Sequence, residues 1–238
     1  MIRESELEGL SRREREKLMR RREMIIAARK IFSWKGYAES TLEDVAELAE
    51  FGKGTLYNYF PNKDALFSSV LEDIFNGFVT IFREVLGSDL EFKAKIRALL
   101  EKSLRYGFSN PEGILLLVRE AHHLRENNPL MQKQPQLVEP LADTMAAEQK
   151  RNPSMLRNDP RQLAMVLLNL VIGQFMNRLH LCFQKLKEPD ADSPAICQEK
   201  VVELFTSFRT ENLEEEVQVA TDFIYTLYFH GICSAENS

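Results

Sequence analysis

Glycine and proline are scarce, at 10 and 9 in 238 residues. Tight turns are therefore few, and no glycine-rich loop of the kind that cradles a nucleotide is on offer. Cysteine is scarcer still: Cys182, Cys197 and Cys233 are odd in number and form no C-x-x-C pair. That excludes a disulfide framework and fits free thiols in a reducing compartment. Long apolar runs are also missing. The most hydrophobic stretch, LAMVLLNLVIGQFM at 163–176, contains Asn169 and Gln174 and falls short of the ~20 residues needed to span a bilayer. Residues 1–21, MIRESELEGLSRREREKLMRR, lack the apolar centre of a secretory signal, so the expected location is cytoplasmic, with no membrane partner. G-x-S-x-G, Walker A, H-E-x-x-H and G-x-G-x-x-G patterns do not occur. No catalytic residues and no cofactor are expected.

What is present is hydrophobic content of 44% and an abundance of Leu, Ala, Glu, Lys, Arg and Met. This composition predicts an all-α chain with a sizeable core. Its charge is divided by position. Overall the chain carries −5, yet residues 12–22 hold Arg12, Arg13, Arg15, Lys17, Arg20, Arg21 and Arg22 against Glu14 and Glu16, while residues 64–238 carry 18 basic and 25 acidic side chains. An acidic body with a basic end is the asymmetry of a chain that brings that end to phosphate.

From Arg12 to Trp34, Met24, Ile25, Ala28, Ile31 and Phe32 recur at helical spacing, and Gly36 ends the run. Leu42, Val45, Ala46 and Leu48 then suit a short helix capped by Ser40 or Thr41, with Glu43 and Asp44 in its first turn. A second short helix, Gly54 to Phe60, must stop at Pro61, since proline disfavours helical geometry in the residue before it. Two short helices across a tight turn form a helix-turn-helix. In GKGTLYNYFPNKDALF, residues 52–67, Leu56 and Phe60 supply the packed face and leave Thr55, Tyr57, Asn58 and Tyr59 to point outward. A tyrosine ring can meet a thymine methyl while its hydroxyl reaches a phosphate.

The run AARKIFSWKGYAESTLEDVAELAEFGKGTLYNYFPNKDALF, residues 27–67, resembles the N-terminal DNA-binding domain of the TetR family of transcriptional regulators. The resemblance implies that Thr41 caps the second helix near a phosphate. It implies a recognition helix from Lys53 to Tyr59, with Lys53, Gly54, Thr55, Tyr57, Asn58 and Tyr59 on double-stranded DNA. It also implies that Lys63 binds the DNA backbone. The chain departs from the family in its turn, where Glu50, Phe51 and Gly52 replace the usual Gly-apolar-Ser. Glu50 puts a negative charge there, and Gly52 gives up a side-chain cap.

The expected organisation is a basic N-terminal arm over 1–19, mobile in part without DNA, a helix-turn-helix domain over 20–66, and a helical effector-binding and dimerisation domain over 67–238. Phe67, Leu71, Ile74, Phe78, Ile81 and Val85 mark one long amphipathic helix from Asp64 to Leu86. Further helices are expected near 89–108, 112–127, 134–150, 160–185, 195–209 and 213–232, with breaks at SNPEG, NNP and KEPDADSP. The helix after Pro160 is apolar nearly all round and so must be covered on more than one side. In TetR-like proteins the two C-terminal helices pair across a homodimer, and helices 160–185 and 213–232 fit that part, Gly173 allowing close approach.

Tyr106, Phe108, His122, His123, Asn169, Phe175, Met176 and His180 are the aromatic and polar candidates for a pocket between helices. Adjacent helical residues point about 100° apart, so His122 and His123 do not suggest a metal, and none is expected. These features together imply a dimeric repressor, released from a pseudo-palindromic operator by a small apolar or amphipathic effector. The alternative is a helical adaptor or membrane-surface protein anchored by the basic arm. That arm carries few large apolar residues, Leu10, Leu18 and Met19, which suits a membrane surface poorly.

Overall fold

The computed structural model describes residues 9–122, 132–152, 158–185 and 212–232, and only the backbone of 119–122, 182, 183, 185, 231 and 232. Among the described residues the regular elements are helices, with no strand: α1 (Arg12–Glu39), α2 (Leu42–Leu48), α3 (Lys53–Tyr59), α4 (Lys63–Leu86), α5 (Phe92–Phe108), α6 (Pro111–His122), α7 (Pro135–Arg151), α8 (Pro160–Lys185) and α9 (Leu213–Thr226). A π-helical turn, Leu227–Ile232, continues α9. The helix expected over 195–209 and the end of the one expected over 112–127 lie outside the described residues. The chain divides into two compact units between Asp73 and Ile74.

In the first unit α1 begins at a reciprocal cap. The Glu14 amide donates to Ser11 Oγ at 3.3 Å, and the Ser11 amide donates to the Glu14 carboxylate at 2.8 Å. Two donors left open by a helix start are thereby satisfied. The basic residues 12–22 are thus the first turns of a capped helix. The S-x-x-E pattern at 11–14 marks the start. Gly36 interrupts α1 with φ 80° and ψ 166°, a region open essentially to glycine alone.

Met24, Ala28 and Phe32 follow one another at four-residue spacing and are wholly buried, together with Val45, Leu56, Leu66 and Val70. Truncating one of these, such as Phe32→Ala, would cost about 3–5 kcal/mol. Phe60 ends α3 with φ −136° and ψ 108°, the extended geometry that Pro61 demands. Asn62 caps α4, its Oδ1 accepting from the Ala65 amide at 2.8 Å.

In the second unit α5 packs on α9 and α7 on α8. Ile96, Leu100 and Leu104 form the inward stripe of α5, and Leu163, Leu167, Val171 and Phe175 that of α8. Arg97 pairs with Asp222, and Arg105 with Glu101 and Glu214, clasping α5 to α9. The segments Lys63–Leu86 and Pro160–Leu181 are long and apolar enough to cross a membrane. Much of that apolar surface is spent inside the protein, at Val70, Ile74 and Phe78 of the one and Leu163, Leu167 and Val171 of the other. Val166, Ile172 and Leu181 of α8 are exposed and apolar.

Candidate nucleic-acid interface and effector cavity

α2 is held at its start by Thr41 and Asp44. The Asp44 amide donates to Thr41 Oγ1 at 3.1 Å, and the Asp44 carboxylate accepts from the Thr41 amide at 2.9 Å and from Lys35 Nζ at 2.7 Å. The Lys35 bond, then the Thr41 amide, holds the Asp44 carboxyl below its ordinary pKa. At the other end the Phe51 amide donates to Ala46 O at 2.9 Å and the Glu50 amide to Glu47 O at 3.1 Å. This bond pair closes a helix through one left-handed residue, here Glu50 at φ 57°.

The closure aims α3. Leu56 and Phe60 lock its inner side, with Leu56 wholly buried. Lys53, Gly54, Tyr57 and Asn58 are exposed, and Thr55 and Tyr59 are half-buried. Tyr57 keeps 42% of its surface in solvent. Gly52 provides no side-chain cap to α3, so the Lys53 and Gly54 amides at its start have no side-chain acceptor there. Lys53 forms an ion pair with Glu43, which lowers the Glu43 pKa and raises that of Lys53. Its Nζ stands 5.9 Å from the Tyr57 ring centroid.

Lys63 is engaged differently from the expectation. Its Nζ donates to the carbonyls of Tyr37 at 2.7 Å, Ala38 at 3.1 Å and Ser40 at 3.0 Å, and lies 4.5 Å from the Tyr37 ring centroid. An ammonium has three donors, and all three are used to close the corner after Gly36. The assignment of Lys63 to the DNA backbone is therefore corrected to a structural one. Tyr37 completes that corner by donating to Asp64 and packing on Phe67 at 4.8 Å between centroids.

The start of α1 adds charge near the turn. Arg12, Arg15, Met19, Arg20 and Glu23 border a groove with Phe51. Arg12 pairs with Glu16 at 2.8 Å, Arg15 Nε donates to Leu10 O at 3.0 Å, and Arg21 donates to Ser69 at 2.9 Å. Among the described residues, Arg13, Lys17, Arg20 and Arg22 enter no ion pair.

The second unit contains a partly open cavity of about 320 Å³. Phe75, Phe78 and Phe82 of α4, Leu99 and Leu100 of α5, and Phe175 of α8 are part of its wall. Ser103 and Gln134 are its polar lining residues, and no charged side chain lines it among the described residues. Phe175 is seated against Gly107, where a Cβ would overlap its ring. Phe78 links Phe175, at 6.2 Å, to Tyr106, at 4.9 Å.

Residues 25–70 match the family model described as bacterial regulatory proteins, tetR family. That segment is similar to the N-terminal DNA-binding domain of TetR-family regulators. Among curated TetR-type relatives, the HTH-type transcriptional repressor KstR2 of Rhodococcus jostii is 26% identical over 108 residues, 45% of this chain and 53% of its own length. The regulator RutR of Escherichia coli is 37% identical over 90 residues, 37% of this chain and 42% of its own. The chain thus matches about half of the length of these relatives or less. The likeness of fold extends further than the likeness of sequence. Bacillus subtilis FadR, solved in complex with stearoyl-CoA, overlays 89% of this chain and 98% of its own with a TM-score of 0.62 at 16% identity.

Within the matched segment the turn residue Glu50 takes the left-handed conformation that glycine adopts freely. Of the expected pocket residues, the structure brings Phe175 and Met176 to the cavity wall. Tyr106 and Phe108 lie behind it, in ring contact with Phe78 and Phe175. Asn169 and His180 are corrected: both are exposed on α8 and neither lines the cavity, because the buried stripe of that helix runs through Leu163, Leu167, Val171 and Phe175. His180 instead meets Gln184 at 2.8 Å. His123 and the His122 side chain lie outside the described residues. Ser103, Gln134 and Phe75 were missed, since spacing alone does not tell which interhelical space stays empty. Buried Arg178, 2.5 Å from Glu216 and 4.5 Å from the Phe108 ring centroid, was missed as well.

Proposed function

We propose that this protein is a sequence-specific DNA-binding transcriptional regulator, acting as a homodimeric repressor that a small apolar or amphipathic effector releases from a pseudo-palindromic operator. One observation carries the reading. α3 buries Leu56 and Phe60 and turns Lys53, Tyr57 and Asn58 to solvent, the division of faces that a groove-reading helix needs. Tyr57, Asn58 and the half-buried Tyr59 read base edges and sugars. Lys53, Thr41 and the α3 amides near Lys53 and Gly54 meet phosphates, with Arg13, Lys17, Arg20 and Arg22 adding charge.

A two-turn helix reads only a few base pairs, so a second head is needed for specificity. Val219, Phe223 and Leu227 of the last helix, and Val166, Ile172 and Leu181 of α8, are large and exposed, and a second copy of the chain covers them. The effector enters the cavity of the second unit; a small-molecule complex, with stearoyl-CoA, is known for the similarly folded FadR. Phe75, Phe78 and Phe82 at the cavity lie on the same helix, α4, as Lys63, Asp64 and Phe67 of the head. An effector that fits one spacing of the two heads better shifts the population by its differential affinity. No enzymatic step is part of this reading, and the site of action is the cytoplasm.

Binding of a random-sequence duplex between about 50 and 200 mM salt tests the electrostatic half of the reading. The expected result is a steep loss of affinity with salt that flattens by about 0.9 per phosphate contact removed when Arg13, Arg20 and Arg22 become Gln. Binding that is absent, or indifferent to salt, would refute it.

A further inference from the structure

We infer that the cavity takes an uncharged, hydrocarbon-bodied molecule with one hydrogen-bonding oxygen, and that Ser103 selects for that oxygen. This rests on the effector reading above and narrows it.

Ser103 is 3% exposed, and its Oγ has no hydrogen-bond partner among the described residues. A serine inside a helix ordinarily satisfies its hydroxyl on the carbonyl four residues back. Ser33 and Ser69 of this chain do bond to carbonyls of their own helices, at 2.9 Å each. Ser103 makes no such bond and lines the cavity beside Leu99 and Leu100. An unpaired buried hydroxyl is costly to keep. A ligand oxygen against it removes that cost. Gln134 offers a second, adjustable contact: its Nε2 reaches the Met165 sulfur, at 3.5 Å, and a thioether is a weak acceptor.

The remaining lining decides the charge. The described wall is aliphatic and aromatic, and none of its side chains is a cation or an anion. An ionised carboxylate placed there would lose its water and gain no counter-charge. An alcohol, ketone or ester loses little water and finds Ser103. At about 320 Å³ the space is at the small end of the ~300–1,000 Å³ range of ligand sites, suited to a medium alkyl chain or a small ring system.

Equilibrium dialysis of the full chain, with no DNA present, tests this with 1-decanol, decanoate and 1-chlorodecane near pH 7.5. Decanol is expected to bind about tenfold or more tighter than decanoate, because the cost of burying the charge is large. Ser103→Ala should lower decanol affinity about fivefold, the worth of one neutral hydrogen bond, and leave 1-chlorodecane within twofold, which also reports an intact fold. Leu168→Trp, which fills the cavity, should weaken all three. Decanoate binding as tightly as decanol, or none of the three binding, overturns the ligand class. A Ser103→Ala loss shared equally by decanol and 1-chlorodecane overturns the role of Ser103. Because the assay contains no DNA, failure of the regulator reading leaves these outcomes unaffected, and their failure leaves DNA binding to stand or fall separately.

Discussion

Replacing Glu50 by glycine should make the DNA-binding head more stable. Glu50 sits at φ 57° in the closure of α2, where its own amide and that of Phe51 bond back to Glu47 and Ala46. A residue with a Cβ pays roughly 1–2 kcal/mol for that left-handed conformation. Glycine removes the strain but loses more freedom on folding, roughly 0.5–1 kcal/mol. The difference is a stabilisation of about 0.5–1 kcal/mol, or roughly 2–8 °C in Tm for a unit of this size. Thermal unfolding followed by circular dichroism measures it, with Glu50→Ala as the comparison. The alanine variant removes the same charge and keeps the strain, so it should stay within about 0.5 kcal/mol of the natural chain. If Glu50→Gly is no more stable than Glu50→Ala, the turn is not strained and the reasoning fails.

Lys63→Met should cost the head about 1.5–3 kcal/mol, the worth of charge-assisted bonds to the Tyr37, Ala38 and Ser40 carbonyls, while leaving the salt slope of DNA binding unchanged. A slope reduced by about one at unchanged stability would return Lys63 to the phosphate. Gly107→Ala should push the Phe175 ring into the cavity, costing about 1–3 kcal/mol in denaturant unfolding and weakening decanol; an unaltered midpoint speaks against the packing described. Phe223→Glu, at a position 58% exposed, should leave helix content intact and yield monomers in sedimentation velocity; a persistent dimer places the interface elsewhere. The Asp44 carboxyl is held below its ordinary pKa by Lys35 and the Thr41 amide. Its contribution is therefore complete above the unfolded value of about 3.9 and is lost as pH falls through the folded one. Asp44→Asn should flatten the acid limb of the stability curve below about pH 4, and an unchanged limb would show that this carboxylate does not govern it.

The head was legible because its signals are local. Met24, Ala28 and Phe32 mark a stripe at one spacing, Pro61 fixes the geometry of Phe60, and Leu56 with Phe60 sets which side of α3 faces inward. The same locality explains what was misread. Lys63 reaches carbonyls 23 to 26 residues earlier in the chain, a contact that exists only once the corner after Gly36 has folded beside α4. Read alone, a lysine beside a recognition helix points to phosphate. In the body, α8 carries apolar residues on both sides, and only packing against α7 decides that Leu167 and Val171 turn inward while Asn169 and His180 stay out. The cavity combines α4, α5, α6, α7 and α8, and an empty space has no sequence pattern of its own. Ser103 is one serine among several until its missing partner is seen.

The measurement that bears most directly on the proposed function is selection from a randomised duplex library by the purified full chain at physiological salt, followed by sequencing of the retained DNA. The expected result is an enriched pseudo-palindrome whose half-sites lie about 34–36 Å apart or a multiple of that distance, with Tyr57→Ala altering the preferred bases. A folded dimer that retains DNA without enriching any sequence, or retains none, would contradict a role in sequence-specific regulation.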